Sequence, residues 1–163
     1  MLKRYFVIAL ATSATAAMVA GCATGPRPVA VPDTLAAQSR LSTLNSLVAK
    51  AGLTDTLKTS GPFTMFAPTN EAFAKVPAKT MEALASDPVQ LKAVLGYHIL
   101  PVKLMAANVK NGSSKTLNGA SLALSKAGNF VTAEEALVLT PDILATNGVV
   151  HVVDSVLLPP ASR

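Results

Sequence analysis

Apolar positions repeat at helical spacing through the first half of the chain and alternate in short runs through the second. Leu44, Leu47, Val48 and Ala51 share one face of a helix that begins at Ser42, and Gly52 stands at the C′ position, where a left-handed residue ends a helix. Asp33 is expected to cap a shorter helix before it. Leu53 to Ser60 reads as a connection. Lys79 to Ser86 predicts another helix, with Met81, Leu84 and Ala85 on one side. Asp87-Pro88 then caps and starts the next, because proline at the first helical position sacrifices no hydrogen bond. Leu91, Val94, Leu95 and His98 line the inner face of that helix, and Pro101 is expected to end it. Leu104 to Val109 predicts one further turn of helix, and Asn111 to Ser114 a loop.

From there the period becomes two. Lys115-Thr116-Leu117 and Ala120 to Leu124 flank Asn118-Gly119, a two-residue hairpin signal because both turn positions need positive φ. Phe130-Val131-Thr132, Ala136 to Leu139 and Ile143-Leu144-Ala145 predict further short strands. Helices first and strands afterwards is the α+β pattern.

Two blocks stand out from this background. In the first, Gly61 to Phe73, Phe63 and Met65 alternate with Thr64 and Phe66 as in a strand, and Pro68 forbids continuation of the ladder. Thr69 is placed to cap a helix, with Asn70 and Glu71 serving helix-start capping and electrostatics. In the second, Asn147-Gly148 makes a turn with Asn147 at positive φ, a valine-rich strand containing His151 follows, and Pro159 and Pro160 end it. Between the blocks lies Tyr97-His98-Ile99-Leu100.

These three motifs, in this order, resemble the two signature boxes and the tyrosine-histidine motif of the fasciclin domain, over a stretch from Asp33 to Pro160. Phe66, Pro68, Thr69, Asn70, Phe73, Asn147, Gly148 and His151 carry the match as fold determinants. The resemblance implies an α+β wedge, helices packed on a twisted antiparallel β-sandwich, used as a non-catalytic adhesion or interaction module. In animal matrix proteins with this domain, an aspartate-isoleucine segment and the tyrosine-histidine segment are implicated in integrin binding. Carried over, they indicate Asp142, Ile143, Tyr97 and His98 as partner-binding candidates.

Composition narrows the setting. Met1 to Arg4 is a positive start and Tyr5 to Val19 an apolar stretch diluted by Thr12, Ser13 and Thr15, too short and polar for a membrane span. Val19-Ala20-Gly21-Cys22 resembles the lipobox of bacterial lipoproteins. By that resemblance residues 1–21 are a signal peptide, and Cys22 becomes acylated by chains such as palmitate, which hold a protein to a membrane surface. Ala23, in place of an inner-membrane retention aspartate, makes the outer membrane or cell surface the expected address, with a periplasm-facing domain the other orientation. Residues 22–32, with Gly25, Pro26, Pro28 and Pro32, read as the lipidated cysteine and a spacer, 33–160 as one domain and 161–163 as a tail. Cys22 is the sole cysteine, so no disulfide forms within the chain.

The net charge of +5 includes Lys3 and Arg4 of the leader, and the remaining basic residues are scattered without interleaved aromatics, which argues against nucleic-acid binding. With two histidines and one cysteine there is little material for a metal cluster. No nucleophile elbow, phosphate loop or cofactor motif is present, so the sequence points away from catalysis. His98 falls on the apolar stripe of its helix, and His151 alternates with Val149 and Val153, away from Asp154. Three readings follow. The chain is a lipid-anchored envelope module that binds a surface, a matrix polymer such as a polysaccharide, or an envelope protein; a periplasm-facing binder of a small apolar ligand; or a hydrolase using His98 or His151.

Overall fold

A computed structural model describes residues 29–159. The leader, Cys22, most of the spacer and the tail lie outside the described residues. Helix α1 spans Val31–Ala36, α2 Ser42–Lys50 and α3 Thr54–Thr59. Strand β1 (Phe63–Pro68) leads into α4 (Asn70–Lys75), α5 (Ala78–Ser86) and α6 (Pro88–Tyr97). Strands β2 (Ile99–Leu100), β3 (Gly112–Lys115), β4 (Ser121–Ala127), β5 (Phe130–Ala133), β6 (Ala136–Ala145) and β7 (Gly148–Val153) complete the domain. Among the described residues no helix is long and apolar enough to cross a membrane.

Local chemistry explains most of these boundaries. At the end of α2, Gly52 adopts φ +67, its N–H reaches Ala49 O at 3.1 Å and Leu53 N–H reaches Val48 O at 3.1 Å, the Schellman pattern that the glycine announced. Asp87 Oδ1 accepts from Val89 and Gln90 N–H at 2.8 and 3.3 Å, and Pro88 opens α6 as expected. Other expectations shift. α1 begins at Val31, already buried, with Ala30 at its N-cap, so Asp33 sits in the first turn rather than at the cap, and the spacer gives way to folded chain before Pro32. Leu53 to Ser60 holds helix α3, and α6 ends at Tyr97 with β2 intervening before Pro101. The loop expected at Asn111 to Ser114 is mostly strand β3, and the turn expected at Leu104 to Val109 shortens to a 3₁₀ turn at Ala106–Asn108. The last strand stops at Val153, well ahead of Pro159.

The seven strands form one sheet in the order β2-β1-β7-β6-β5-β4-β3. The α+β architecture is the expected one, and the sheet is mixed: β1 and β7 run parallel, register Phe63 with Gly148 to Pro68 with Val153, while every other pair is antiparallel. Two residues beyond β3 the chain curls back, Leu117 N–H donating to Ile99 O of β2 at 2.7 Å, so the sheet nearly closes on itself. The hairpin between β3 and β4 is therefore a five-residue loop over residues 116–120 rather than a two-residue turn, with Gly119 at φ +89.

β1 and β7 are buried at every position. Phe63, Met65, Ala67, Val150 and Val152 face the helices, against Leu35, Leu44, Leu57 and Leu95. Phe66 and Val153 face inside the curled sheet, against Tyr97, Leu100, Leu122 and Leu124. The two strands touch so closely at Gly148 that a Cβ there would lie 2.2 Å from Phe63 O. This is the constraint that the glycine meets, since its φ is not positive. Truncating the fully buried ring in Phe66→Ala is expected to cost about 3–5 kcal/mol, measured as a shift in denaturant midpoint; an unchanged midpoint would place Phe66 outside the core.

Candidate functional site

His98 caps the C-terminus of α6 and is 1% exposed. Its Nδ1 lies 2.8 Å from Val94 O, and its Nε2 accepts from Leu157 N–H at 3.0 Å. A carbonyl only accepts and an amide N–H only donates, so the partners assign the proton to Nδ1 and keep the ring neutral. Burial pushes its pKa down to about 4, against the smaller pull of Val94 O.

His151 is wired in the opposite sense. Its Nε2 donates to Leu104 O at 2.9 Å, and its Nδ1 accepts from Asp142 N–H at 3.1 Å. Burial again holds the pKa below the ordinary histidine range, opposed by Leu104 O and by the Asp142 carboxylate, whose Oδ1 is 4.0 Å from Nδ1. Its ring also lies 5.5 Å from that of Phe66, centroid to centroid. The carboxylate near His151 thus comes from β6, not from Asp154.

Around His151 a strap is fastened across the sheet. Thr64 Oγ1 donates to Val102 O and accepts from Leu104 N–H, both at 2.7 Å. Asp142 Oδ1 accepts from Ala106 N–H at 2.8 Å. Three side chains from three adjacent strands therefore hold the 102–106 segment by its backbone. Asp142 does this from a bulge in β6, at φ +57, where the register slips between Thr140 and Ile143 and the ring of His151 replaces the missing ladder partner. The two short strands expected at Ala136 to Leu139 and Ile143 to Ala145 are one strand, with this bulge in the expected gap. On the other side of the curl, the hydroxyl of Tyr97 reaches Ser121 O at 3.1 Å and the Glu134 carboxylate, and burial, followed by Glu134, raises its pKa.

The polar residues of the two signature blocks also bind backbone. Thr69 Oγ1 accepts from Ala72 N–H at 3.2 Å, capping α4 as read. Glu71 in its first turn is held below the usual carboxylate range by its own backbone N–H and then by Thr69. Asn70 does something the sequence did not disclose: its Oδ1 accepts from Thr43 N–H at 3.1 Å and its Nδ2 donates to Ser39 O at 3.0 Å, capping α2, whose own N-cap is Leu41. Asn147 is a clasp between the sheet and two helices, not a positive-φ turn former. Its Oδ1 accepts from Val31 N–H at 3.0 Å, and its Nδ2 donates to Ser60 O at 3.1 Å and to Leu57 O.

Of the four partner-binding candidates, Tyr97 and His98 are buried side by side, Ile143 is partly buried against the helix-side core, and the Asp142 side chain is 32% exposed. The structure joins Asp142 to His151 and leaves His98 in a separate network. Leu139 and Leu144 of β6, at 52% and 55% exposed, flank the Asp142 bulge and are not among the four candidates. Both nitrogens of each histidine are engaged by backbone, and no group of three histidine, cysteine, aspartate or glutamate side chains is placed for a metal among the described residues.

The family model for the fasciclin domain matches residues 39–159. The chain belongs to the fasciclin family. It is 38% identical over 151 residues to Protein sll1483 of Synechocystis sp., covering 91% of this chain and 83% of that protein. It is 36% identical over 128 residues to transforming growth factor-beta-induced protein ig-h3 of Sus scrofa, covering 77% of this chain and 19% of that protein. Among solved structures it is similar to a domain pair from the insect cell adhesion molecule fasciclin I, with a TM-score of 0.58 and 21% identity, covering 76% of this chain and 46% of the pair. That likeness carries the fold alone.

Two measurements check the roles assigned to this fasciclin domain's buried polar groups. His98 binds a proton near pH 6.5 when unfolded and only near 4 when folded, so its contribution is full above 6.5 and is lost as pH falls toward 4. The expected loss is about 3 kcal/mol, with His151 acting in the same direction. His98→Asn, which keeps a donor for Val94 O, is expected to lower stability at neutral pH and flatten the pH dependence; a slope equal to the parent's would remove His98 as its source. Asn147→Gly is expected to destabilise by about 1–3 kcal/mol, as much as Asn147→Ala does. A tolerated glycine would mean that Asn147 serves only the turn.

Proposed function

We propose that the protein is a lipid-anchored, non-catalytic interaction module of the cell envelope, acylated at Cys22 and displayed on the outer membrane, where it binds a neighbouring surface, a matrix polymer or another envelope protein. The observation that carries the reading is the wiring of the signature residues. Histidine, threonine and asparagine side chains that would serve a reaction are committed to backbone groups, and the tyrosine hydroxyl to Ser121 O and Glu134, so the polar chemistry of the blocks builds the body of the domain rather than an active centre. Membership of the fasciclin family supports it.

In this reading Asp142 and Ile143 act at the β6 bulge, where Leu139 and Leu144 supply exposed apolar area, and Tyr97 and His98 act from beneath by fixing α6 and the 155–158 segment. Contacts of one small domain are weak singly, and many copies on one membrane raise their effective concentration. Binding of a small apolar ligand has its best support in a groove of about 460 Å³ lined by Leu53, Val89, Ala93 and Leu117; its exposed walls suit a docked surface better than an enclosed ligand.

Protease treatment of intact cells tests the display. Digestion of the domain on intact cells, and release of the protein to the medium or periplasm in a Cys22→Ser strain, is the expected result. Protection until the cells are permeabilised would turn the domain inward, and unchanged membrane retention of Cys22→Ser would remove the lipid anchor.

A further inference from the structure

Charge is unevenly distributed along this chain. From Pro88 to Ala133 there are five lysines, Lys92, Lys103, Lys110, Lys115 and Lys126, and not one aspartate or glutamate. The fold places three of them, Lys110, Lys115 and Lys126, on or beside β3. Lys110 precedes the strand and Lys115 is its last residue; Lys126 stands on β4 opposite Asn111, which accepts its N–H at 2.6 Å. Among the described residues no carboxylate is within ion-pair distance of these three, and the Lys126 ammonium is held by Ala107 O at 2.7 Å. Elsewhere in the curled sheet, Asp142 is bonded to Ala106 N–H and Glu134 to the Tyr97 hydroxyl.

The edge itself is open. β3 ends the strand order, and the bond that closes the sheet, Leu117 to Ile99, falls after β3, so no described backbone group pairs with the outer side of Gly112–Lys115. Gly112 and Ser114 pair with the buried Leu124 and Leu122, so they face inward, while Ser113 and Lys115 pair with exposed Ala123 and Ser121 and face solvent. Beside the inward face lies a hollow of about 260 Å³ with Leu104 and Leu124 in its floor and Asn108, Lys110 and Asn111 at its rim.

We propose that the β3 edge receives an extended acidic segment of another polypeptide as an added strand. Main-chain hydrogen bonds to 112–115 give the pairing, alternate apolar side chains of the segment enter the hollow, and the acidic side chains between them meet Lys110 and Lys115. A second copy of this chain is disfavoured as occupant, because two such edges would place lysine against lysine. The proposal rests on the interaction-module reading, but on neither the lipid anchor nor the β6 bulge.

The test uses the purified full chain and a ten-residue peptide alternating valine and glutamate, with a valine-lysine peptide as control. The acidic peptide is expected to bind, to slow amide exchange at 112–115, and to lose about tenfold or more in affinity in Lys110→Glu/Lys115→Glu or at high salt. Lys110→Gln/Lys115→Gln should show an intermediate loss, and equal melting temperatures of parent and variants exclude misfolding. Equal binding of the lysine peptide, or binding of the acidic peptide without slowed exchange at 112–115, would overturn the proposal. So would polygalacturonate binding as tightly, with the same sensitivity to the double variant, since it has no peptide backbone to pair. Concentration-dependent dimers that protect the same amides would assign the edge to a second copy instead. Surface display is read separately by protease on cells, so failure of the peptide leaves that reading standing.

Discussion

The parallel pairing of β1 and β7 is the constraint on which the rest of the domain depends. Both strands are apolar at nearly every position and buried on both faces, so each face needs its own cover. The helices supply one cover, and the remaining strands supply the other by curling around Phe66, Tyr97 and Val153. The close approach of Gly148 to Phe63 sets how tightly the pair meets, and a parallel pair joined across most of the chain can form only when both covers are in place.

Covers made of separate segments must be fastened, and the fastenings share one chemical requirement. The groups left open at strand ends and in the strap are backbone N–H and C=O groups from different segments, so a useful side chain must both donate and accept while staying uncharged. A hydroxyl, a carboxamide and a neutral imidazole meet that requirement; an ammonium or a carboxylate does not. Thr64, Asn70, Asn147, His98 and His151 are all of this kind and all bridge two or more segments. This explains why burial can depress the histidine pKa values without opening the structure at neutral pH: the neutral form is the one that the hydrogen bonds select.

Features set by neighbours in sequence were legible. Gly52 as a helix terminator, Asp87-Pro88 as a start and Thr69 as a cap each depend on atoms within four residues, and the strand at Phe63 and the valine-rich strand read directly from their alternation and branching. What stayed hidden was set by distant partners. α3 is six residues with one buried leucine, too little periodicity to register. Pro141 and Asp142 look like breakers, and only the ring of His151 makes them a bulge within one strand. Asn118-Gly119 looks like a tight hairpin because nothing local reveals that Asn118 Nδ2 binds Ala93 O at 3.0 Å and that the loop docks on α6. The roles of Asn70 and Asn147 were hidden for the same reason: in a sequence, asparagine near a turn signals the turn, and its side-chain partners lie up to 116 residues away.

The incomplete closure of the sheet links fold to function. A barrel has no edge to protect, but this sheet closes through a single described bond after β3, leaving four residues of strand unpaired along their outer side. An unpaired edge can join copies of a protein together unless something opposes it, and the lysines at this edge, with no carboxylate among them, oppose it by charge. Repulsion of that kind is selective, not general. It rejects a like-charged strand and leaves main-chain donors and acceptors available to a segment of opposite charge, so the charge that opposes pairing of two such edges also defines what the edge can admit.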